Sequence, residues 1–172
     1  MRKEIYKGPI FTLEQFEVTI NNKKYQRDVL THAPAVAILV KVDNQFIFVR
    51  QLRYGIMKET LEIPAGLVDQ NESMVDACSR ELQEEIGLKP KNLNYLYSLY
   101  AVPAYCDEVV HLFYCDEFEK NQLPQDEDEQ IEIVKMTLDE VKLELNKTNT
   151  LFDMKSVIAI QHYLLKIKHD EN

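Results

Sequence analysis

The run AVAILVKV, residues 35–42, constrains the fold of this 172-residue chain more than any other stretch. It is almost continuously apolar, as a strand buried on both faces must be. A strand of that kind needs a layer above it and a layer below it. Elsewhere the chain alternates between strand-like segments and two or three separated helical ones, so the layers are expected to be helices around a sheet.

The flanking segments fit that plan. FTLEQFEVTI (11–20) alternates loosely, NNKK (21–24) reads as a turn, and YQRDVL (25–30) returns as a hairpin. DN (43–44) is a second turn, and QFIFVRQLRY (45–54) returns after it. TLEIPAG (60–66) reads as a short strand ending at a Pro/Gly bend. The helical period then takes over. Asn71 or Ser73 can cap a helix running to about Ile86, with Met74, Ala77, Cys78, Leu82 and Ile86 on one stripe and Gly87 as its C-terminal cap. NLNYLYSLYAV (92–102), EVVHLFYCDEF (108–118) and QIEIVKM (130–136) read as strands, and EKNQLPQDEDE (119–129) as an acidic loop. TLDEVKLELNK (137–147) starts as a helix with a Thr cap, and residues 153–168 form a closing amphipathic helix. The expected class is α/β (α+β), a mixed sheet between helices.

Composition excludes several functions. The net charge of −9, with no compensating Lys/Arg cluster, repels a nucleic-acid backbone. A phosphate substrate would need divalent metal to approach so acidic a protein. No apolar run reaches membrane-spanning length, so no membrane partner is expected. The N-terminus lacks the apolar stretch of a signal peptide, and the expected location is the cytoplasm. Cys78, Cys106 and Cys115 are odd in number and form no CxxC pair, which suits free thiols. The four histidines show no metal-binding spacing.

The chemistry lies in GLVDQNESMVDACSRELQEEIGL, from Gly66 to Leu88. Glu81 and Glu85 are four apart and Glu84 is three from Glu81, so three carboxylates share one helix face at an electrostatic cost. A hard cation resolves the conflict, because three oxygen donors on one rigid helix suit Mg²⁺ or Mn²⁺. Glu72 falls at the helix N-terminus, where the dipole favours a carboxylate. Arg80 can brace a neighbouring carboxylate with two hydrogen bonds. Gly66 permits a bend that would bring the Ala65 carbonyl in as a further ligand.

This stretch resembles the Nudix box, GX5EX7REUXEEXGU, at every specified position: Gly66, Glu72, Arg80, Glu81, Glu84, Glu85 and Gly87 all match. Chance agreement at seven fixed identities is on the order of a few in a billion per start site at average residue usage. The resemblance implies the Nudix fold and a metal set of Ala65, Glu81, Glu84 and Glu85. LEIPAG before the box, Pro103 after it, PAYCDE and DEDEQIEIV are similar to the ADP-ribose pyrophosphatase branch. That likeness covers most of residues 35–170. One departure is VPAYCDE, where the branch often has Ser-Pro-Gly, and it points to the sugar side of the pocket.

The implied reaction is hydrolysis of the ADP-ribose pyrophosphate bond to AMP and ribose 5-phosphate, by water activated at a Mg²⁺ (or Mn²⁺) cluster. In similar enzymes the base is a glutamate on the loop before the last strand. Glu129 is the first choice here, then Glu127, with Asp128 beside them, and Glu84 is the further catalytic candidate. Arg53, Glu62, Pro103 and Glu108 are implied substrate contacts, and Tyr105 or Phe113 could stack on adenine. Residues 1–32 are expected to be an N-terminal β arm outside a 33–172 domain, building a homodimer and lining the base pocket as in the similar enzymes. The competing readings are hydrolysis of another nucleoside diphosphate sugar such as GDP-mannose, a triphosphatase, and a non-catalytic Nudix-fold nucleotide-sensing module.

Overall fold

The computed structural model describes residues 2–125 and 130–170, and of 167–170 the backbone alone. Strands β1 (Lys3–Lys7), β2 (Phe11–Ile20) and β3 (Lys23–His32) form an antiparallel sheet of their own. Asn21 and Asn22 join β2 to β3 with φ of +50° and +59°, the left-handed pair that matches hairpin twist. β1 escapes a sequence reading because all five of its residues are exposed, so no burial period marks it.

The main sheet is built on β4 (Ala35–Val42) and β5 (Gln45–Arg53), joined at Asp43 and Asn44, again both at positive φ. The chain then adds β6 (Lys58–Glu62), β7 (Ala65–Leu67), helix α1 (Met74–Ile86) and β8 (Leu88–Pro90). After these come β9 (Asn94–Tyr100), β10 (Val109–Cys115), β11 (Phe118–Lys120) and β12 (Ile131–Thr137). Helices α2 (Leu138–Leu145) and α3 (Met154–Asp170) close the chain. The strand order is β12-β5-β4-β10-β9, with β4 and β10 parallel and the other neighbours antiparallel. β8 and β11 form a separate pair.

One feature of the sheet positions the site. β4 and β5 pair only near their shared turn, Val40–Val42 against Gln45–Ile47. Beyond it they splay, and residues 58–67 enter the gap. β6 pairs with β5, then β7 pairs with β4. The expected single strand over 60–66 is therefore two strands, broken at Ile63–Pro64. Proline has no N–H to give the ladder, but its carbonyl accepts from the Ile38 N–H at 2.9 Å. The strand that leads into α1 is thus locked into the middle of the sheet.

The strands alternate between two cores. Val36, Ile38, Val40, Ile47, Val49 and Phe113 face α1, where Ala77, Cys78, Leu82 and Ile86 meet them. Ala37, Leu39, Phe46, Phe48 and Leu112 face the other way, onto Val141 of α2 and Ala159 and Ile160 of α3. The sheet lies between helices as the apolar run required. Met74, placed on the α1 stripe by spacing, is exposed instead, as expected of a first-turn residue at the rim. The three cysteines are free, and burial pushes the Cys78 thiol up to about 12. No helix among the described residues is long and apolar enough to cross a membrane.

Candidate active site

Arg80 organises the start of the site. Its Nε and Nη2 grip the two oxygens of Glu72, both at 3.0 Å, and Nη2 also donates to the Leu67 carbonyl at 2.8 Å. Nη1 donates to Glu81 at 2.6 Å and to Glu84 at 3.0 Å. The two-pronged grip falls on Glu72 rather than on adjacent Glu81. Glu72 also accepts the Asp69 N–H at 3.0 Å, so it pins the loop between β7 and α1 to the helix. Ser73, not Asn71, is the N-cap, accepting from the Asp76 N–H. The Glu72 partner holds the Arg80 guanidinium protonated above its ordinary range.

Gly66 has an ordinary strand backbone with no positive φ, so a bend is not what requires it. A Cβ at this position would lie 1.9 Å from a Glu81 carboxylate oxygen. The glycine is a clearance that lets that carboxylate lie flat on the β7 backbone. Glu81 and Glu85 are 7% and 2% exposed. Glu85 accepts the Ala65 N–H at 3.2 Å, which brings the Ala65 backbone against the same face of α1. Among the described residues no three His, Cys, Asp or Glu side chains converge as a ready metal centre. The donors at hand are nevertheless all hard oxygens, the kind Mg²⁺ and Mn²⁺ prefer.

The far end of α1 is closed by a residue the sequence reading passed over. Gly87 ends the helix at φ +71°, and the Gln122 side chain lies against it, 2.4 Å from where a Cβ would be. Gln122 Nε2 donates toward the carbonyls of Gln83, Glu84 and Leu123 at 2.8–2.9 Å, two of them orphan acceptors of the last helical turn. The Leu123 N–H bonds Gln83 and the Asn121 N–H bonds Gly87. Gln125 Nε2 reaches the Glu85 carbonyl at 3.4 Å. The segment leading into the acidic loop is thereby fastened to the carboxylate helix. Glu127, Asp128 and Glu129 themselves lie outside the described residues. Gln125 and Gln130, on either side of them, line a polar cleft of about 560 Å³ with Arg50, Gln51 and Glu132.

Arg53 and Glu62 form one unit. Arg53 donates from Nε and Nη2 to the two Glu62 oxygens at 2.7 and 2.6 Å. Thr60 and Lys155 also donate to Glu62, which is 2% exposed. Burial alone would push the Glu62 carboxyl up, but Arg53 and Lys155 outweigh it and hold it down to about 2. A carboxylate so fully occupied has no lone pair left for a substrate, so Glu62 meets ligands only through Arg53.

The remaining substrate candidates gather elsewhere. Pro103 and Tyr105 line a cavity of about 250 Å³ with Arg2 and Tyr100, between the arm and the loop after β9. Glu108 stands 3.8 Å from His32 Nδ1 beside it. Phe113 is 4% exposed in the α1-side core and is not available to stack on a base.

Fold and site define a hydrolase of the α/β sandwich kind, with its acidic helix fed by a strand wedged into the sheet. The chain belongs to the NUDIX domain family, whose pattern it matches over residues 31–157. Among curated relatives it is 34% identical to the ADP-ribose pyrophosphatase of Bacillus subtilis, over 96% of this chain and 91% of that one. It is 32% identical to the methanol dehydrogenase activator of Bacillus methanolicus, over 97% and 93%. A crystal structure of an ADP compounds hydrolase superposes with a TM-score of 0.87, covering 99% of this chain and 93% of that chain at 24% identity, a likeness of fold. Nudix hydrolases generally need divalent metal ions.

Proposed function

We propose that the protein hydrolyses the pyrophosphate bond of ADP-ribose, giving AMP and ribose 5-phosphate. The observation that carries this reading is the intact carboxylate face of α1, Glu81 against Gly66 and Glu85 on the Ala65 N–H, in a chain that matches an ADP-ribose pyrophosphatase along almost its whole length. Water adds to one phosphorus, the bridging P–O bond breaks, and the leaving phosphate takes up the proton.

The residues fit a divalent cation, Mg²⁺ or Mn²⁺. Glu81, Glu85, Glu84 and the Ala65 carbonyl would hold it. Arg80 keeps its two-pronged grip on Glu72 if Glu81 turns to a cation, because only Nη1 is then released. When bound, the ion supplies Lewis acidity and neutralises the diphosphate. Arg53 adds a fixed guanidinium on the diphosphate side, close enough to Glu85 to feel its charge. Glu129 is the proposed base, with Glu127 next. Support comes from Gln125, whose bond to the Glu85 carbonyl ties that loop's near end to α1. Pro103 and Glu108 are assigned to the nucleoside or sugar side. Residues 1–32 are assigned to a homodimer contact, since Ile5, Tyr6, Ile10 and Phe11 are exposed on the arm.

The test is product analysis with Mg²⁺ and, separately, ADP-ribose, GDP-mannose, NADH, diadenosine polyphosphates and dGTP. AMP released fastest from ADP-ribose is the expected result. Preference for GDP-mannose would reassign the pocket around VPAYCDE. No turnover of any of them would overturn hydrolysis and favour a sensing or activating role, the kind of role in the name of the Bacillus methanolicus relative.

A further inference from the structure

The first turn of α3 reaches the back of the site. Lys155, with its side chain 15% exposed, donates to Glu62 and to Asp153, the latter at 2.5 Å. Asp153 also accepts from the Ser156 N–H and hydroxyl, and Ser156 Oγ accepts the Ile63 N–H at 2.8 Å. The turn is therefore pinned to the strand that leads to Ala65, and Lys155 is presented to Glu62 from a rigid base.

Charge counting says what Lys155 contributes. Without it, Arg53, which feels the charge of Asp153 as well as that of Glu62, would be the one cation facing two carboxylates. Both Glu62 oxygens are already filled by Arg53, Thr60 and Lys155. Each added donor removes a direction in which the carboxylate can turn. The Arg53 guanidinium bonds it through one edge only, and its side chain remains 46% exposed. We propose that Lys155 is a positioning residue for the reaction: it fixes Glu62, and through Glu62 the plane of Arg53, against which the substrate diphosphate is held.

This inference rests on the hydrolase reading for its substrate. Its test is a double-mutant cycle between Lys155→Met and Arg53→Met, with Lys155→Arg as rescue, read as KM and kcat for ADP-ribose. The same cycle is read as the Kd of the non-hydrolysable α,β-methylene analogue of ADP-ribose in Mg²⁺, where no turnover occurs. Lys155→Met is expected to raise KM and Kd about tenfold with a smaller change in kcat, because binding common to ground and transition states is lost. Lys155→Arg should restore most of it, and Lys155→Met should add almost nothing once Arg53 is methionine. An effect that multiplies fully in the Arg53→Met background overturns the proposal, as does an unchanged KM and Kd with a lowered melting temperature. If Lys155→Met does not fold, Lys155→Gln carries the same expectations. Wild-type protein that binds ADP-ribose without cleaving it would overturn the hydrolase reading alone, and the Kd cycle would still decide the role of Lys155.

Discussion

A methyl group on Gly66 would collide with the Glu81 carboxylate, 1.9 Å from one of its oxygens. Gly66→Ala is therefore expected to displace Glu81 and lower kcat on the order of a hundredfold or more, while the strand backbone, with no positive φ to protect, keeps its fold. Steady-state kinetics beside a melting curve checks this; unchanged kinetics would mean that Glu81 has no fixed place in the reaction. Glu62 gives a second expectation. Its folded pKa is about 2 against an ordinary 4.5, so its ion pairs stabilise the protein fully above about 4.5 and are lost as pH falls toward 2. The contribution at neutral pH is on the order of 3 kcal/mol. Urea melts between neutral pH and about pH 3 should show this loss in the wild type and a shallower one in Glu62→Gln. Spacing alone named the carboxylates of the box, since i, i+4 positions must share a face. It could not name Lys155, because a lysine 93 residues from Glu62 leaves no local pattern.

At the scale of elements, α1 is the best-determined unit in the sequence: its stripe, its N-terminal region and its glycine stop are all local signals. The turn that closes it is not. Gln122 is one polar residue in a polar loop, and its work on the Gln83 and Glu84 carbonyls arises only when the chain returns. One amide nitrogen has two protons for three acceptors, so the group is fully used. Gln122→Ala should cost about 1 kcal/mol and loosen the last turn of α1, read as faster amide exchange there and a melting temperature lower by a few degrees. No change in exchange at residues 83–87 would remove Gln122 from that role. The same limit explains the strand at 60–66. The sequence reads as one strand ending at a Pro/Gly bend, but the split into β6 and β7 is decided by which neighbour each half meets.

Across the whole molecule, the double-sided apolar run foretold the sandwich, and the family box foretold which helix would carry the carboxylates. The three-stranded arm was less legible, because among the described residues its apolar side chains join neither core. Ile5, Tyr6 and Ile10 are exposed on β1 and the turn after it, and Ile20 and Tyr25 lie exposed at the other end of the hairpin. The arm is nonetheless fixed to the body. The Leu30 N–H bonds the Tyr105 carbonyl at 2.7 Å, the Asp107 N–H returns to Leu30 at 3.1 Å, and Asp107 accepts the His32 N–H at 2.9 Å. A rigidly held sheet with apolar residues turned outward is costly in water unless something covers it. If a second copy does so, light scattering should give twice the 20.2 kDa chain mass. Ile5→Glu should shift that mass to the monomer without unfolding the body, because Ile5 touches neither core. The arm adjoins the cavity lined by Arg2, Pro103 and Tyr105, so the monomeric variant should lose affinity for the nucleotide more than it loses kcat. A dimer untouched by Ile5→Glu would move the contact to the Ile20–Tyr25 end of the hairpin. A wild-type monomer would leave the arm as a wall of the pocket and nothing more.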